Sequence, residues 1–270
     1  MAAKLQKQRV AIGSDAHLAV EVEGGGEPVL LIAGLGGRLA FWHQQRAALT
    51  RHFQLVLHDH RGTGDSTRSD IHYSVGQMTA DVLALMDALA IERAHIVGHS
   101  TGGAIAQTLA LNHGDRVGRI VLSATWAGHD PFFEQLFKLR RQMLETCGPA
   151  AYMLDGTLRA LPAAFLQERG ATLESLVAER VEQFAGLAIE LSRIDAVMAH
   201  DLRERLGDIV HPVLVICAAD DQITPLPFSK ELAAAIPGAQ LAVLPFGGHF
   251  FPQVDPQGFN QRVLEFLRAA

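Results

Sequence analysis

The sequence predicts an α/β fold, a mostly parallel sheet with helices on both faces. Three observations carry that expectation. Short apolar runs alternate with helical stretches along most of the chain. The run at 29–33 is apolar at every position, as a strand buried on both faces is. Many of the 25 glycines cluster where such runs stop. The chain has 270 residues, 49% apolar and 19% charged. A chain of that length can bury about three quarters of the surface its unfolded form exposes, and this composition excludes intrinsic disorder.

Residues 20–23 alternate apolar and acidic side chains and end in the turn Gly24-Gly25-Gly26. A strand over 29–33 stops at Gly34-Leu35-Gly36-Gly37, and a second over 53–57 runs into His58-Asp59-His60-Arg61-Gly62-Thr63-Gly64. Ser74 and Gln77 have the spacing of a capping box, and Val82, Leu83, Leu85, Met86 and Leu89 form the stripe of the helix behind it. A strand over 94–97 ends at Gly98-His99-Ser100-Thr101-Gly102-Gly103, followed by a helix over 104–112 and a strand over 120–122. Strand texture then disappears. Residues 126–205 read as several short helices punctuated by Pro131, Gly148-Pro149, Pro162 and Gly170, with Phe132, Phe133, Phe137, Met143 and Leu144 at helical spacing. Strands return at 213–218 and 241–244, with helices at 228–236 and 259–267. The expected domains are therefore an α/β core, 1–125 with 206–270, and an inserted helical cap, 126–205, over the strand ends where open α/β sheets bind ligands.

Gly98-His99-Ser100-Thr101-Gly102 matches G-x-S-x-G between a strand and a helix, which raises the serine hydroxyl above the sheet on a strained turn. A hydroxyl is a poor nucleophile until a base takes its proton. His249, in Gly247-Gly248-His249-Phe250 after the last strand, is the candidate base. The acid that orients it should follow an earlier strand; Asp220 and Asp221 do, and Asp130 is a more distant candidate. The oxyanion needs donors already in place. The backbone N–H of Thr101 and one from the Gly34–Gly37 loop, that of Leu35, are the candidates.

Together these residues resemble the α/β-hydrolase superfamily over nearly the whole chain. The glycine loop, the run Asp59-His60-Arg61-Gly62-Thr63-Gly64-Asp65-Ser66 and the serine elbow carry the resemblance. It implies a mostly parallel eight-stranded sheet with a helical cap. It also selects Asp221 as the triad acid, because the acid of this family usually lies four residues before a proline, here Pro225. Serine at position 100 excludes the dehalogenase and epoxide hydrolase branches, which use aspartate there. The segments 31–37, 61–64, 73–78 and 216–221 look most like aminoacrylate hydrolases and enol-lactone hydrolases. The implied activity is acyl transfer to Ser100 and hydrolysis of a small carboxylic ester, lactone, or activated amide or enamine. A cofactor-free perhydrolase on the same triad is an alternative, as is a ligand-binding receptor whose triad is idle.

Trp126, Phe132, Phe133, Phe137 and Phe250 are candidate lining for an apolar acyl pocket; a packed cap core is the competing reading. Arg140, Arg141 and Arg159 could meet a substrate carboxylate or simply be solvated. His58-Asp59-His60 puts two histidines on one face of an extended segment, but the segment fits the family's turn motif. No metal or organic cofactor is expected. The net charge of −6 argues against a nucleic-acid partner. No apolar run reaches membrane-spanning length. The start has no signal-peptide core, and Cys147 and Cys217 are too few for a disulfide framework. The expectation is a cytoplasmic protein acting on small molecules, alone or as a homodimer.

Overall fold

The computed structural model describes residues 5–168 and 170–269. The chain runs β1 (Gln6–Ala11), β2 (His17–Gly24), β3 (Pro28–Ile32), α1 (Arg46–Leu49), β4 (Gln54–His58), α2 (Val75–Ala88), β5 (Ala94–His99), α3 (Thr101–Asn112) and β6 (Val117–Ser123). Four helices follow, α4 (Pro131–Ala160), α5 (Ala163–Glu168), α6 (Gly170–Glu182) and α7 (Leu187–Met198). The chain closes with β7 (Val213–Ala218), α8 (Leu226–Ala235), β8 (Gln240–Leu244), α9 (Phe251–Val254) and α10 (Pro256–Leu267). The sheet has eight strands in the order β1-β2-β4-β3-β5-β6-β7-β8. β1 and β2 are antiparallel to each other, and β2 is antiparallel to β4. From β4 to β8 every pairing is parallel.

Alternation along the central strands builds two apolar layers. Leu30 and Ile32 of β3 pack with α2 and α3, while Val29 and Leu31 pack with Trp42, Phe251, Phe259 and Val263 on the other face. Both faces being covered is why the sequence of β3 lacks polar positions. β1 escapes sequence reading for the opposite reason. Its side chains are exposed except for Val10, and it pairs only at the sheet edge, so no period marks it.

The capping box forms by half. Ser74 Oγ accepts from Gln77 N–H at 3.0 Å, but the Gln77 side chain turns to Asp81 instead of back to the cap. The expected break at Gly148-Pro149 is a kink within α4, where Gly148 takes φ 79° and ψ −179°. α4 packs against both α6 and α7.

Candidate active site

Ser100 sits between β5 and α3 with φ 54° and ψ −117°, a conformation costly for a residue with a Cβ. Its surroundings impose it. A Cβ on Gly98 would lie 2.2 Å from the Gly102 carbonyl oxygen, and one on Gly102 would lie 2.1 Å from that of Ile32. Strand and helix approach too closely for any side chain at either position. Ser100 N–H donates to the Ser123 carbonyl at 2.8 Å, and the Ser100 carbonyl accepts from Thr125 Oγ1 at 2.8 Å.

Asp221 and His249 meet. Both are buried, with Nδ1 of His249 2.8 Å from Oδ2 of Asp221. Oδ1 of Asp221 accepts from Ile223 and Thr224 N–H at 2.8 and 3.0 Å, and Oδ2 also accepts from Thr224 Oγ1 at 2.9 Å. A carboxylate so placed puts the proton on Nδ1 and leaves Nε2 as an acceptor. Asp220 does different work: its Oδ1 accepts Gly248 N–H at 2.9 Å and ties down the loop before His249. Asp130 is a helix cap, accepting Phe133 N–H at 2.8 Å.

His99, the residue before Ser100, lies against His249. The two rings lie 4.9 Å apart, and Phe41 stacks on His99 at 4.5 Å. Burial, then the neighbouring His249, push His99 well below the usual imidazole range. The ring next to His249 is therefore neutral. Phe41 and His99 carry no sequence signal that marks them as site residues.

The Gly34–Gly37 loop lies against the serine. A Cβ on Gly34 would be 3.1 Å from Ser100 Cβ. Gly37 N–H donates to the Gly34 carbonyl at 2.8 Å. Among the described residues, the N–H groups of Leu35 and Thr101 have no backbone acceptor, as unfilled oxyanion donors would not.

The candidate pocket rings fall in different surroundings. Trp126, Phe133 and Phe137 are buried in the apolar layer. Their ring contacts run to one another, to His200 and to Phe228. Phe132 is 47% exposed. Helical spacing alone does not distinguish a packing ring from a lining ring. Phe250 does reach the site, 6.0 Å from His249 and 5.5 Å from Phe41.

The three arginines are committed elsewhere. Arg140 is buried over the Tyr152 ring at 4.5 Å and reaches Asp155 at 3.4 Å. Arg159 pairs with Asp155 at 2.7 Å, and Arg141 pairs with Asp195 and Glu145. Asp59 and Arg61 are structural, as the resemblance implied. Asp59 accepts Leu39 and Asp65 N–H at 2.8 and 2.9 Å, and Arg61 forks onto Asp81. The His58 and His60 rings stack on each other at 5.3 Å, fully buried.

Fold and site together define an enzyme class. The chain belongs to the alpha/beta hydrolase fold family, whose family model matches residues 27–256. It is 38% identical over 268 residues to a protein of Caulobacter vibrioides, covering 97% of this chain and 100% of that one. It is 42% identical to a protein of another Caulobacter over 253 residues, covering 92% and 94%. Both relatives bear the assigned name of a carbamate hydrolase, RutD. Among solved structures, the enol-lactonase from Burkholderia xenovorans LB400 matches with TM-score 0.89 and 30% identity, over 97% of this chain and 100% of that one. A hydrolase from Pseudomonas aeruginosa matches with TM-score 0.85 and 33% identity, over 98% and 99%.

Proposed function

We propose that this hydrolase cleaves a small carboxylic ester, lactone, or activated amide or enamine through an acyl-enzyme on Ser100. The observation that carries the reading is the 2.8 Å bond between Asp221 and His249 Nδ1, with the His249 ring 4.9 Å from that of His99, the residue before a serine held in a strained elbow. His249 Nε2 takes the Ser100 proton as Oγ attacks the carbonyl carbon. The Leu35 and Thr101 N–H groups receive the oxyanion. The proton passes to the leaving group as its bond to the carbonyl carbon breaks. His249 then draws a proton from water as the water attacks the acyl-enzyme, and returns it to Ser100 Oγ as the bond to the acyl carbon breaks and the acid leaves. Asp221 holds the imidazole tautomer throughout. No step needs a metal or an organic cofactor.

In this reading, residues 126–205 are a cap over a core of 1–125 and 206–270. Within the cap, Arg180 Nη1 donates to Thr157 Oγ1 at 2.7 Å, and its guanidinium lies 6.0 Å from the Phe250 ring centre. Burial, then the charge of Arg140, push its pKa down. Its place beside Phe250 would let the guanidinium meet an anionic group on the acyl or leaving side of a substrate. A carbamate, the group in the relatives' assigned name, presents the same attackable carbonyl and belongs in the same substrate screen. The two cysteines are both unpaired, which suits the cytoplasm.

The test is a serine-directed phosphonate combined with p-nitrophenyl acetate turnover. Labelling of Ser100 with loss of turnover is expected, as is a fall of several orders of magnitude in kcat for Ser100→Ala with its circular dichroism unchanged. Near-normal activity of that variant would overturn the assignment. Absence of both labelling and turnover in the wild type would favour the receptor reading.

A further inference from the structure

Arg193, on α7, is fully buried, and among the described residues none of its hydrogen bonds goes to a carboxylate. Nε and Nη2 both donate to the Leu35 carbonyl, at 3.2 and 2.7 Å. Nη1 donates to the Arg61 carbonyl at 3.2 Å, and Nη2 reaches His60 Nδ1 at 3.2 Å. Arginine only donates, so His60 Nδ1 is the acceptor and that ring is neutral. A Cβ on Gly37 would lie 2.9 Å from Nη2. The guanidinium thus fills the crook of the Gly34–Gly37 turn.

Docking a helix does not require this. A buried cation with no carboxylate bonded to it is costly, and an apolar side chain would pack at lower cost. What the fork adds is direction. The Gly34 carbonyl is held by Gly37 N–H at 2.8 Å. In a trans peptide the Leu35 N–H then points the opposite way, out of the turn. The next peptide is held through the Leu35 carbonyl by two guanidinium N–H groups. Both peptides flanking the Leu35 Cα are therefore fixed, one from inside the loop and one from the helical segment above it.

We propose that Arg193 is the positioning residue of the oxyanion loop. It locks the backbone so that Leu35 N–H is aimed at the acyl oxygen before substrate arrives, and it makes acyl transfer conditional on α7 being docked. The guanidinium itself does not touch substrate. The proposal rests on the acyl-enzyme reading above.

The test compares wild type, R193K and R193M in two measurements. One is the kinetics of p-nitrophenyl acetate. The other is the affinity for phenylboronic acid, whose boron accepts the Ser100 oxygen as the serine proton passes to His249, giving a tetrahedral anion in the oxyanion site. Loosening a preorganised donor should lower kcat about 10- to 100-fold and weaken boronate affinity in step, with KM within about threefold. Lysine keeps the charge but not the fork, so R193K should fall with R193M. If R193M does not fold, R193K and R193Q are read in the same way. A role confined to charge or helix docking would leave R193K within about twofold of wild type in kcat and boronate affinity, or place the loss in KM alone. Either result overturns the proposal. A wild type that neither turns over the ester nor binds the boronate would bring down the acyl-enzyme reading, and this proposal with it.

Discussion

The Asp221 carboxylate takes four hydrogen bonds, and one of them belongs to the imidazole of His249. The other three come from Ile223 and Thr224 and aim Oδ2 at Nδ1. In Asp221→Asn the two backbone N–H groups still claim the remaining oxygen at the Oδ1 position. The amide nitrogen is then left facing Nδ1, which must become an acceptor, so the proton moves to Nε2. The base is lost with little change in geometry. We expect kcat to fall by about four orders of magnitude with KM nearly unchanged; steady-state kinetics with p-nitrophenyl acetate checks it. At this scale the sequence was informative wherever a side chain's chemistry is rare and its chain order constrained. The proposal of Ser100, Asp221 and His249 as a triad starts from such signals. His99, Phe41, Arg180 and Arg193 give none, because an arginine or an aromatic ring in isolation reads the same whether it packs, is solvated or faces a site.

Among the elements, the tightest contact is between α3 and β3. Gly102→Ala would drive a methyl to 2.1 Å from the Ile32 carbonyl oxygen and 2.7 Å from that of Ala33. The Ile32 peptide cannot move without disturbing the parallel pairing of β3 with β5, in which Ile32 faces Gly98. We expect a loss of at least about 2 kcal/mol of stability, read from the urea midpoint, with activity falling as Ser100 shifts. An unchanged midpoint would show that the helix can slide. The strands and helices of the core were legible because burial on one or both faces leaves a period in the sequence. Edge strand β1 left none. Its residues satisfy a hydrogen-bond ladder with polar side chains, and ladders have no side-chain signature. Within the cap, the positions of the breaks were legible from Gly and Pro. Which aromatic face points inward depends on how α4, α6 and α7 pack, and spacing does not encode that.

Across the whole molecule, several histidines are buried without charge. Burial pushes His58 and His200 down to about 4, and His60 and His99 well below the usual imidazole range. The folded pKa lies below the unfolded one. Above about pH 6.5 both states are neutral and nothing is lost. As pH falls below that, the unfolded chain takes up protons that the fold refuses, so stability drops until the folded groups titrate. For His58 alone the full drop, reached near pH 4, is about 3 kcal/mol. The melting temperature should therefore decline between pH 6.5 and 4, with a shallower decline in His58→Asn. A flat profile, or identical slopes, would count against buried neutral rings. The site is also a property of the whole. Residues 34–37, 100, 221 and 249 follow β3, β5, β7 and β8, and because these strands run parallel they end on one side of the sheet, so this placement follows from topology once the strand alternation is recognised.

The kink of α4 has a practical consequence. Cys147, the residue before the left-handed Gly148, is exposed, whereas Cys217 is buried in the last strand but one. Ellman's reagent should find one thiol in the native protein and two after denaturation. A dye attached there would sit at the bend, on the outside of the helical segment. If residues 126–205 act as the cap proposed above, its emission would change when substrate binds and the two halves of α4 change their angle.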